Sequence, residues 1–351
     1  MADIFLNGSF VDSAGATVSA FDAGLQHGVG LFETMTGVVR RAGAQAVSRE
    51  DLHENYHIIH LHEHMTRLVS SATELGLSDS LRRDALAETV ERTLAKASES
   101  HPDVERFRIR LTMTGGDLNM LARSREGAKE GGQERTQLPT IMIHAQPATI
   151  YPAEFFEKGV PVMIADLKVN PLNPFEGHKT LNYWPRLRAL QMAAAAGASE
   201  ALVFQVTNHL AGGCVSNALL VKGGVVITPW AQGERTNERA REGMEKDSAT
   251  AAISGLASRA PTTLASPVLA GITRRWAMEW CEDQQMQVVR KLVTIDDVLS
   301  ADEVLLTNSS WGVLPVVRVE KHQVGSGSGV GSGRVGEVGR GLIEAWQQQL
   351  R

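Results

Sequence analysis

The pattern of apolar and polar positions predicts a chain that mixes helices with strands. Residues 107–113 alternate between the two kinds, which is typical of a half-buried strand, and residues 140–144 are its expected neighbour. A spacing of three or four predicts a helix over about 57–77, with the apolar residues Ile58, Leu61, Met65, Leu68 and Ala72. We therefore expect an α+β (mixed α/β) fold with mixed sheets.

The pattern changes near residues 145–148, which indicates a linker between two domains. Before it we predict a hairpin with its turn at Asn7-Gly8, a strand at 31–39 and a helix at 81–97. After it we predict strands at 160–165, 201–206 and 304–307, a hairpin at 218–227, and helices at 182–196, 272–281 and 335–349. The smaller domain is expected at 1–146 and the larger at 147–351, with an insertion near 230–267.

Composition argues against several classes of protein. Of the 351 residues, 43% are hydrophobic and 21% are charged, as expected for a globular chain with a full core. The formal net charge of -5 gives no reason to expect nucleic acid or an anionic membrane as a partner. No apolar run is long enough to span a bilayer, and the first residues lack a signal-peptide pattern. The two cysteines, Cys214 and Cys281, fit a reducing cytoplasm and no disulfide framework.

Lys179 is a candidate nucleophile because it stands between a predicted loop and a predicted helix, in the stretch GHKTLNY. A lysine amine reacts only when it is unprotonated, and burial or a neighbouring cation lowers its pKa enough for that. Taken alone, a lysine at such a junction is more often a solvated surface residue. The stretches around it in the sequence change this interpretation.

Three further stretches have the character of anion sites. Residues 271–274 open a predicted helix, whose first amides and dipole favour an anion. Residues 307–310 follow a strand and offer hydroxyl donors, and Arg67 on a predicted helix offers a fixed cation. Taken singly, these features are more often a helix cap, a turn and an exposed arginine.

Seven stretches in a fixed order around Lys179 resemble the fold-type IV pyridoxal-phosphate enzymes, the class IV aminotransferases. This family includes branched-chain and D-amino-acid aminotransferases and aminodeoxychorismate lyase. The stretches are 6–11 (LNGSFV), 28–34 (GVGLFET), 64–72 (HMTRLVSSA), 178–183 (HKTLNY), 213–217 (GCVSN), 271–274 (GITR) and 301–309 (ADEVLLTNS). The resemblance covers most of the chain and implies the two-domain class IV aminotransferase-like fold.

The resemblance implies a role for each matching residue toward pyridoxal 5′-phosphate. Lys179 would hold the cofactor as a Schiff base and then shuttle the substrate proton. The other implied contacts belong to the phosphate, the ring and the pocket wall. Arg67, the amides of Ile272 and Thr273, and the Ser309 hydroxyl would hold the phosphate, Leu269 would pack on the ring, Tyr183 would bond the phenolic oxygen, and Ser216 and Asn217 would shape the pocket.

The sequence departs from the family at the position that faces the pyridine nitrogen. Relatives carry a glutamate there, which keeps the nitrogen protonated so that the ring accepts electrons. Gly212 occupies this position, and residues 208–211 offer no carboxylate. Either another group replaces it, or a local shift hides the true partner, or the protein binds the cofactor and catalyses little. We expect Gly212→Glu to strengthen the electron sink if the pocket has room.

A group of histidines raises the question of a metal site. The group consists of His53, His57, His60, His62 and His64. Two pairs have the i, i+4 spacing that places imidazoles on one helical face, but no His-Glu-x-x-His motif occurs. We interpret these residues as partly buried helix histidines and predict no metal.

The expected function is transfer of an amino group between an amino acid and a 2-oxo acid by a pyridoxal-phosphate enzyme. Two alternatives stay open: a lyase of the aminodeoxychorismate type, and a catalytically weak homologue that binds the cofactor, because of Gly212. Arg108 and Arg110, on one face of a predicted strand, would bind a substrate carboxylate or form structural salt bridges. The resemblance also implies a homodimer with the active site near its interface.

Overall fold

The computed structural model describes residues 3–40, 55–117, 139–234, 266–325 and 333–351. Within these ranges, helices and strands alternate irregularly along the chain and build two separate sheets. The expectation of an α+β fold is therefore confirmed. Part of the predicted insertion at 230–267, together with His53, lies outside the described residues. No helix of the described part is long and apolar enough to cross a membrane.

The first sheet has six strands in the order β2-β1-β6-β5-β3-β4. Its strands are β1 (Ile4–Leu6), β2 (Ser9–Val11), β3 (Gly30–Val39), β4 (Tyr56–Ile58), β5 (Arg106–Thr114) and β6 (Ile141–Pro147). All of its pairs are antiparallel, and β3 and β5 pair from Gly30↔Thr114 to Val38↔Arg106. The first hairpin turns at Asn7-Gly8, where both residues have positive φ, as the sequence predicts.

The second sheet has nine strands and mixes parallel with antiparallel pairs. They are β7 (Val160–Val169), β8 (Glu200–Gln205), β9 (Leu210–Gly213), β10 (Asn217–Lys222), β11 (Val225–Pro229), β12 (Val288–Lys291), β13 (Glu303–Asn308), β14 (Gly312–Val319) and β15 (His322–Gln323). The order is β12-β11-β10-β13-β14-β7-β8-β9, and β15 pairs with β14. The pairs β14/β7, β7/β8 and β11/β12 are parallel.

Eight helices of the described residues cover these sheets. They are α1 (Ala23–His27), α2 (Leu61–Glu74), α3 (Arg83–Ser100), α4 (Ala153–Glu157), α5 (Trp184–Ala195), α6 (Ile272–Asp283), α7 (Ile295–Leu299) and α8 (Glu337–Gln349). Helices α2 and α3 pack with the first sheet around Met65, Leu94 and Ile109. Separate apolar clusters hold α5 and α6 to the second sheet. Burial of these faces is the main source of helix stability.

The predicted helix at 57–77 begins later than the apolar spacing suggests. Tyr56–Ile58 pairs with β3 instead, and His60 takes a left-handed conformation with φ 55° directly before α2. The apolar Ile58 is buried from the strand, so it repeats the helical spacing without belonging to the helix. Most of the linker expected at 145–148 is wrong, because residues 145–147 end β6 and pair with β5. The second sheet begins at Val160, and the division into domains at 146/147 stays a prediction.

The segment that carries Lys179 lies against β3 of the first sheet. Leu31 of β3 forms a bridge with Thr180. The Phe32 amide donates to the Lys179 carbonyl at 2.9 Å, and the Leu181 amide donates to the Gly30 carbonyl at 3.0 Å. The backbone of residues 179–181, which lies between β7 and α5 and belongs to no strand of the second sheet, is therefore held against the first sheet. This contact positions the site described below.

Candidate functional site

A cavity of about 880 Å³ lies between residues of the two sheets. All nine residues predicted to form the site line it: Arg67, Lys179, Tyr183, Ser216, Asn217, Leu269, Ile272, Thr273 and Ser309. They lie on α2, in the loop before α5, around the start of β10, in the segment that leads into α6 and its first turn, and directly after β13. The structure thus brings together residues up to 242 positions apart, as Arg67 and Ser309 show.

Lys179 presents its amine to the aromatic wall of the cavity. Its Nζ lies 4.2 Å from the centroid of the Phe32 ring and 5.5 Å from that of Tyr183, and these two rings pack edge to face at 5.2 Å. Burial is the main cause that lowers the pKa of Lys179 from 10.5 to about 7, and Arg67 and Arg110 lower it further against the opposing effect of Glu33. A substantial fraction of this amine is therefore unprotonated near neutral pH, as a nucleophile requires.

Glu33, a buried acid on β3, organises the floor beneath the amine. It accepts two hydrogen bonds from Arg67, Nε to Oε1 at 2.8 Å and Nη2 to Oε2 at 2.6 Å. Its Oε2 also lies 2.7 Å from Nδ1 of His64, and Nε2 of His64 lies 3.3 Å from the Ser309 hydroxyl. Although burial opposes the charge, Arg67 and His64 lower the pKa of Glu33 to about 2, so the carboxylate is ionised.

Arg67 is held at three points, so its guanidinium has a fixed position. Besides the two bonds to Glu33, its Nη1 donates to the Ala270 carbonyl at 2.9 Å. That carbonyl stands two residues before α6, whose N-cap residue Gly271 gives no side-chain cap. The guanidinium is thereby fixed beside the start of a helix, where the first amides have no intrahelical acceptor.

Asn217 braces the same helix start from the other side. Its side-chain amide donates to the Leu269 carbonyl at 2.9 Å. A Cβ on Gly271 would lie 1.8 Å from Oδ1 of Asn217, so only glycine permits this close approach. The hydroxyls of Thr273 and Thr307 are buried without a hydrogen-bond partner among the described residues, and both residues line the cavity.

These features fit the phosphate of pyridoxal phosphate. A helix N-terminus, a fixed guanidinium and two unpartnered buried hydroxyls form a cradle for a multiply charged oxyanion. Because a buried hydroxyl without a partner costs free energy, the two threonines indicate a ligand that accepts hydrogen bonds. The residues present therefore suit the cofactor that the sequence implies.

The connection between β9 and β10 is fastened by a second buried acid, Glu200. Its Oε1 accepts from the amides of Ala201 and Cys214, at 3.0 and 3.2 Å. Its Oε2 accepts from the Val215 amide at 3.2 Å and from the Ser216 hydroxyl at 3.1 Å. Burial raises the pKa of Glu200 even though these donors oppose the rise. Both carboxyl oxygens are fully used by the chain itself.

The structure leaves no room for the side chain that Gly212→Glu would introduce, so we no longer expect this variant to strengthen the electron sink. Gly212 has φ 136°, a conformation that side chains rarely adopt, and its Cβ would lie 2.7 Å from the Ser216 carbonyl oxygen. Gly212 is also absent from the residues that line the cavity, whereas Gly213 is among them. A glutamate at 212 would strain the connection between β9 and β10 before its carboxylate reached the cavity.

The wall of the cavity is positively charged. Four arginines line it, Arg67, Arg108, Arg110 and Arg186, and no aspartate or glutamate does within the described ranges. If another group replaces the glutamate that Gly212 lacks, that group is therefore not a carboxylate on the cavity wall within the described residues. Glu33 and Glu200 lie behind the wall and are bound to their own partners.

Arg108 and Arg110 extend into the cavity from β5. The guanidinium of Arg110 stacks on Phe32 at 3.8 Å from the ring centroid, on the same ring that the Lys179 amine contacts. Arg110 donates to the Thr112 hydroxyl at 3.3 Å, and Arg108 donates to Oε1 of Gln146 at 3.3 Å. Neither forms a salt bridge to an acid of the described chain, so the structural salt-bridge interpretation lacks a partner there.

The histidine group does not assemble into a metal site in the described part of the chain. No group of three or more potential ligands occurs among those residues. His64 is instead committed to Glu33 and Ser309. His57 lies in β4 and His60 in the turn before α2, so the four-residue spacing between His60 and His64 does not describe one helical face.

Sequence reasoning missed the two buried acids. Glu33 stands in the strand LFETM and Glu200 in the strand EALVF, each an acid within an apolar stretch. Since a charged residue is almost never buried without a partner, an acid in such a strand indicates a buried cation or a set of donors. Arg186 was also missed, and nothing in its helical surroundings singles it out.

Comparison with known proteins agrees with the geometry. A family profile described as amino-transferase class IV matches residues 30–236 and 254–319. A putative branched-chain-amino-acid aminotransferase of Methanocaldococcus jannaschii is 26% identical over 98% of this chain and 95% of the relative. The branched-chain amino acid aminotransferase of Escherichia coli superposes with a TM-score of 0.72 at 21% identity, over 98% of this chain and 93% of that one.

A lyase has a similar fold as well. The 4-amino-4-deoxychorismate lyase of Pseudomonas aeruginosa superposes with a TM-score of 0.66 at 22% identity, over 99% of each chain. The fold is thus shared between a transferase and a lyase, and the choice between the two reactions depends on the residues of the cavity.

Proposed function

Because the chain belongs to the class IV aminotransferases, we propose that it transfers an amino group between an amino acid and a 2-oxo acid on Lys179. Enzymes of this family depend on pyridoxal 5′-phosphate. One observation carries the proposal: the Lys179 amine, with its pKa lowered to about 7, opens into the cavity that also contains the phosphate cradle.

Each residue of the cradle has one task toward the cofactor. We propose that Arg67, the amides of Ile272 and Thr273, and the Ser309 hydroxyl hold the phosphate. Leu269 would pack on the ring, and the Tyr183 hydroxyl would donate a hydrogen bond to the phenolic oxygen. Ser216 and Asn217 keep the β9–β10 connection and the start of α6 in place through their bonds to Glu200 and Leu269.

The chemistry is divided between cofactor and protein. When bound, pyridoxal phosphate supplies an electron-withdrawing ring that weakens the bond between the substrate Cα and its hydrogen. Lys179 moves that proton, which it accepts and returns at Nζ. An amine whose pKa is about 7 suits both directions of transfer near neutral pH, since a proton-transfer group works best when its pKa is near the working pH.

Arg108 and Arg110 recognise the carboxylate of the substrate in this proposal. Both guanidiniums line the cavity and neither is paired with an acid of the described residues. Phe32 carries the Arg110 guanidinium on the ring that Lys179 contacts. A carboxylate bound there is therefore brought close to the reacting amine, which accounts for amino acids and 2-oxo acids as substrates rather than simple amines.

Arg110→Leu is expected to raise KM for the amino acid and for the 2-oxo acid by about 10- to 100-fold, the loss typical of a charged hydrogen bond. Turnover at saturation should change less, because this contact is made equally before and during the reaction. Steady-state kinetics measure both effects. Arg106→Leu is the matched control, since Arg106 lies on the same strand and does not line the cavity. An unchanged KM in Arg110→Leu contradicts the assignment.

We further propose a homodimer in the cytoplasm. Large apolar side chains are exposed on both segments that meet at the Leu31–Thr180 bridge: Phe21, Leu25 and Val29 before it, Trp184 and Leu187 after it. Such residues favour burial against a second copy. Two unbridged, buried cysteines suit a reducing compartment. Sedimentation equilibrium should give a dimer that Trp184→Glu weakens, and a wild-type monomer at all concentrations contradicts it.

The function is tested by trapping and by transfer. Purified protein is incubated with pyridoxal phosphate, reduced with borohydride and digested, and the labelled peptide is expected to contain Lys179. Amino transfer from a panel of L- and D-amino acids to 2-oxoglutarate is then measured. Pyruvate released from aminodeoxychorismate without an acceptor identifies the lyase instead, and a trapped cofactor with neither activity identifies a cofactor-binding homologue.

A further inference from the structure

Arg186 is a charged residue of the cavity that has no task in the proposed function. It stands in the first turn of α5, seven residues after Lys179, and it lines the cavity. Its Nη1 donates to the Gly213 carbonyl at 3.4 Å, and its Nη2 donates to Oε2 of Glu176 at 3.3 Å. Its guanidinium also lies 6.0 Å from the centroid of the Tyr183 ring.

These contacts place the guanidinium at the wall of the cavity that residues 213–217 form between β9 and β10. The side chain spans from Tyr183 on one side to the carbonyl of Gly213 on the other. Its charge acts on this wall, because Arg186 opposes the rise in pKa that burial causes at both Tyr183 and Cys214. The resemblance places the relatives' glutamate at Gly212, directly before Gly213, which lines this wall.

The nearby acids are all engaged away from the cavity. Glu200 uses both oxygens on four donors of the chain, and a Cβ on Gly213 would lie 3.0 Å from its carboxyl carbon. Glu176 pairs with Arg186 itself and is not among the residues that line the cavity. The wall therefore presents a guanidinium and backbone groups, without a described carboxylate.

We propose that Arg186 faces the pyridine nitrogen of the cofactor and keeps that nitrogen unprotonated. The proposal rests on the proposed function, since it concerns the same bound cofactor. A nitrogen base next to a fixed cation loses affinity for a proton, because the protonated form would place two positive charges together. A guanidinium stays protonated at all ordinary pH values and can only donate, so it stabilises the free base.

An unprotonated ring withdraws fewer electrons from the substrate Cα. The negative charge left at Cα when Lys179 accepts the proton would then be less stabilised by the ring. Arg67 and Arg110, which lie close enough to Lys179 to lower the pKa of its amine, would offset part of this loss. Electrostatic stabilisation by the protein thus takes a larger share than in relatives with the glutamate.

The test uses pyridoxal phosphate labelled with ¹⁵N in the ring and bound to the full-length protein. The ¹⁵N chemical shift of the bound ring reports directly whether the nitrogen carries a proton, independently of activity. In the wild type we expect the unprotonated shift at neutral pH. In Arg186→Leu we expect the pKa of the ring nitrogen to rise by about 1 to 3 units, which a pH titration of the shift measures.

Three variants separate the charge from other effects. Arg186→Lys keeps a cation and should leave the nitrogen unprotonated. Glu176→Gln breaks the ion pair without removing Arg186 and should do the same. Arg188→Leu removes an arginine two residues further along α5 that is bound to Asp166 at 3.0 Å, with 55% of its side chain exposed, and should leave the titration unchanged.

The outcomes distinguish this inference from the proposed function. A protonated ring nitrogen in the wild type at neutral pH, with the cofactor trapped on Lys179, overturns the role of Arg186 alone. The same follows if Arg186→Leu titrates like the wild type and Arg188→Leu. A protein that takes up no pyridoxal phosphate that borohydride can trap overturns the proposed function itself.

Discussion

Lys179→Met is expected to abolish amino transfer while making the cofactor-free protein more stable. Activity should fall on the order of 10⁴-fold, the upper range for loss of a positioned proton-transfer group. Borohydride should no longer attach the cofactor to the protein. Methionine is unbranched like lysine and carries no charge, so the aromatic wall of Phe32 and Tyr183 keeps a neighbour of similar shape.

The gain in stability follows from the pKa of the amine. An unfolded lysine keeps its pKa of 10.5, whereas the folded value is about 7, so folding at neutral pH opposes protonation of this group. At 1.36 kcal/mol per pKa unit, the free energy of unfolding should rise on the order of 4 kcal/mol at pH 7. Residues that serve catalysis often reduce stability in this way.

The pH dependence of this difference has a defined sign. Between the folded pKa of about 7 and the unfolded value of 10.5, the unfolded chain holds a proton at this lysine that the folded chain lacks. Wild-type stability therefore rises with pH in this window relative to Lys179→Met, and the two proteins converge above it. Urea unfolding of both apo-proteins at several pH values measures the convergence.

Lys168→Met is the control for the removal of a lysine in general. Lys168 lies on β7, where its amine bonds Oδ1 of the Asn208 side chain at 3.4 Å and does not line the cavity. We expect unchanged activity and trapping in this variant. Residual borohydride labelling of Lys179→Met at a single other lysine, together with wild-type turnover, contradicts the assignment of Lys179.

The sequence predicted the strands and motifs that carry the site better than the buried acids that hold them in place. Strand β5 was predicted from its alternation, and the stretches around Lys179 from their order along the chain. These features are local, because a period or a motif is contained within a few residues. Strand β14 was missed because Gly312–Val319 is nearly all apolar and buried, and a continuous apolar run carries no period that separates strand from helix.

The contacts that complete the site are long-range and leave little trace in the sequence. Glu33 bonds His64 and Arg67 at separations of 31 and 34 residues. Arg186 reaches Gly213 across 27 residues. No period or motif relates such positions in a single sequence, so their pairing appears only once the sheets are formed. The lack of space for a side chain at Gly212 is equally hidden in the sequence, because it is the Ser216 carbonyl that occupies that space.

Glu33→Gln is expected to destabilise the protein by about 3 to 5 kcal/mol at neutral pH, the loss typical of removing one partner from a buried ion pair. Arg67 would keep its bond to the Ala270 carbonyl but lose the carboxylate that neutralises it. A glutamine oxygen accepts only part of the bonds that Glu33 accepts from Arg67 and His64. Urea unfolding measures the effect. Glu63→Gln, on the partly exposed face of α2, is the matched control and should lower the free energy of unfolding by less than about 1 kcal/mol.

The pH dependence provides the sharper test of this pair. The folded pKa of Glu33 is lowered from 4.5 to about 2, so the carboxylate contributes its full stabilisation above the unfolded value and loses it as pH falls toward the folded one. This shift corresponds to about 3 kcal/mol. The stability gap between wild type and Glu33→Gln should therefore narrow between these two pH values, whereas the gap to Glu63→Gln stays small throughout. A gap that is constant down to acid pH would show that the loss in Glu33→Gln arises from packing, because a lost charge interaction must titrate with the group that makes it.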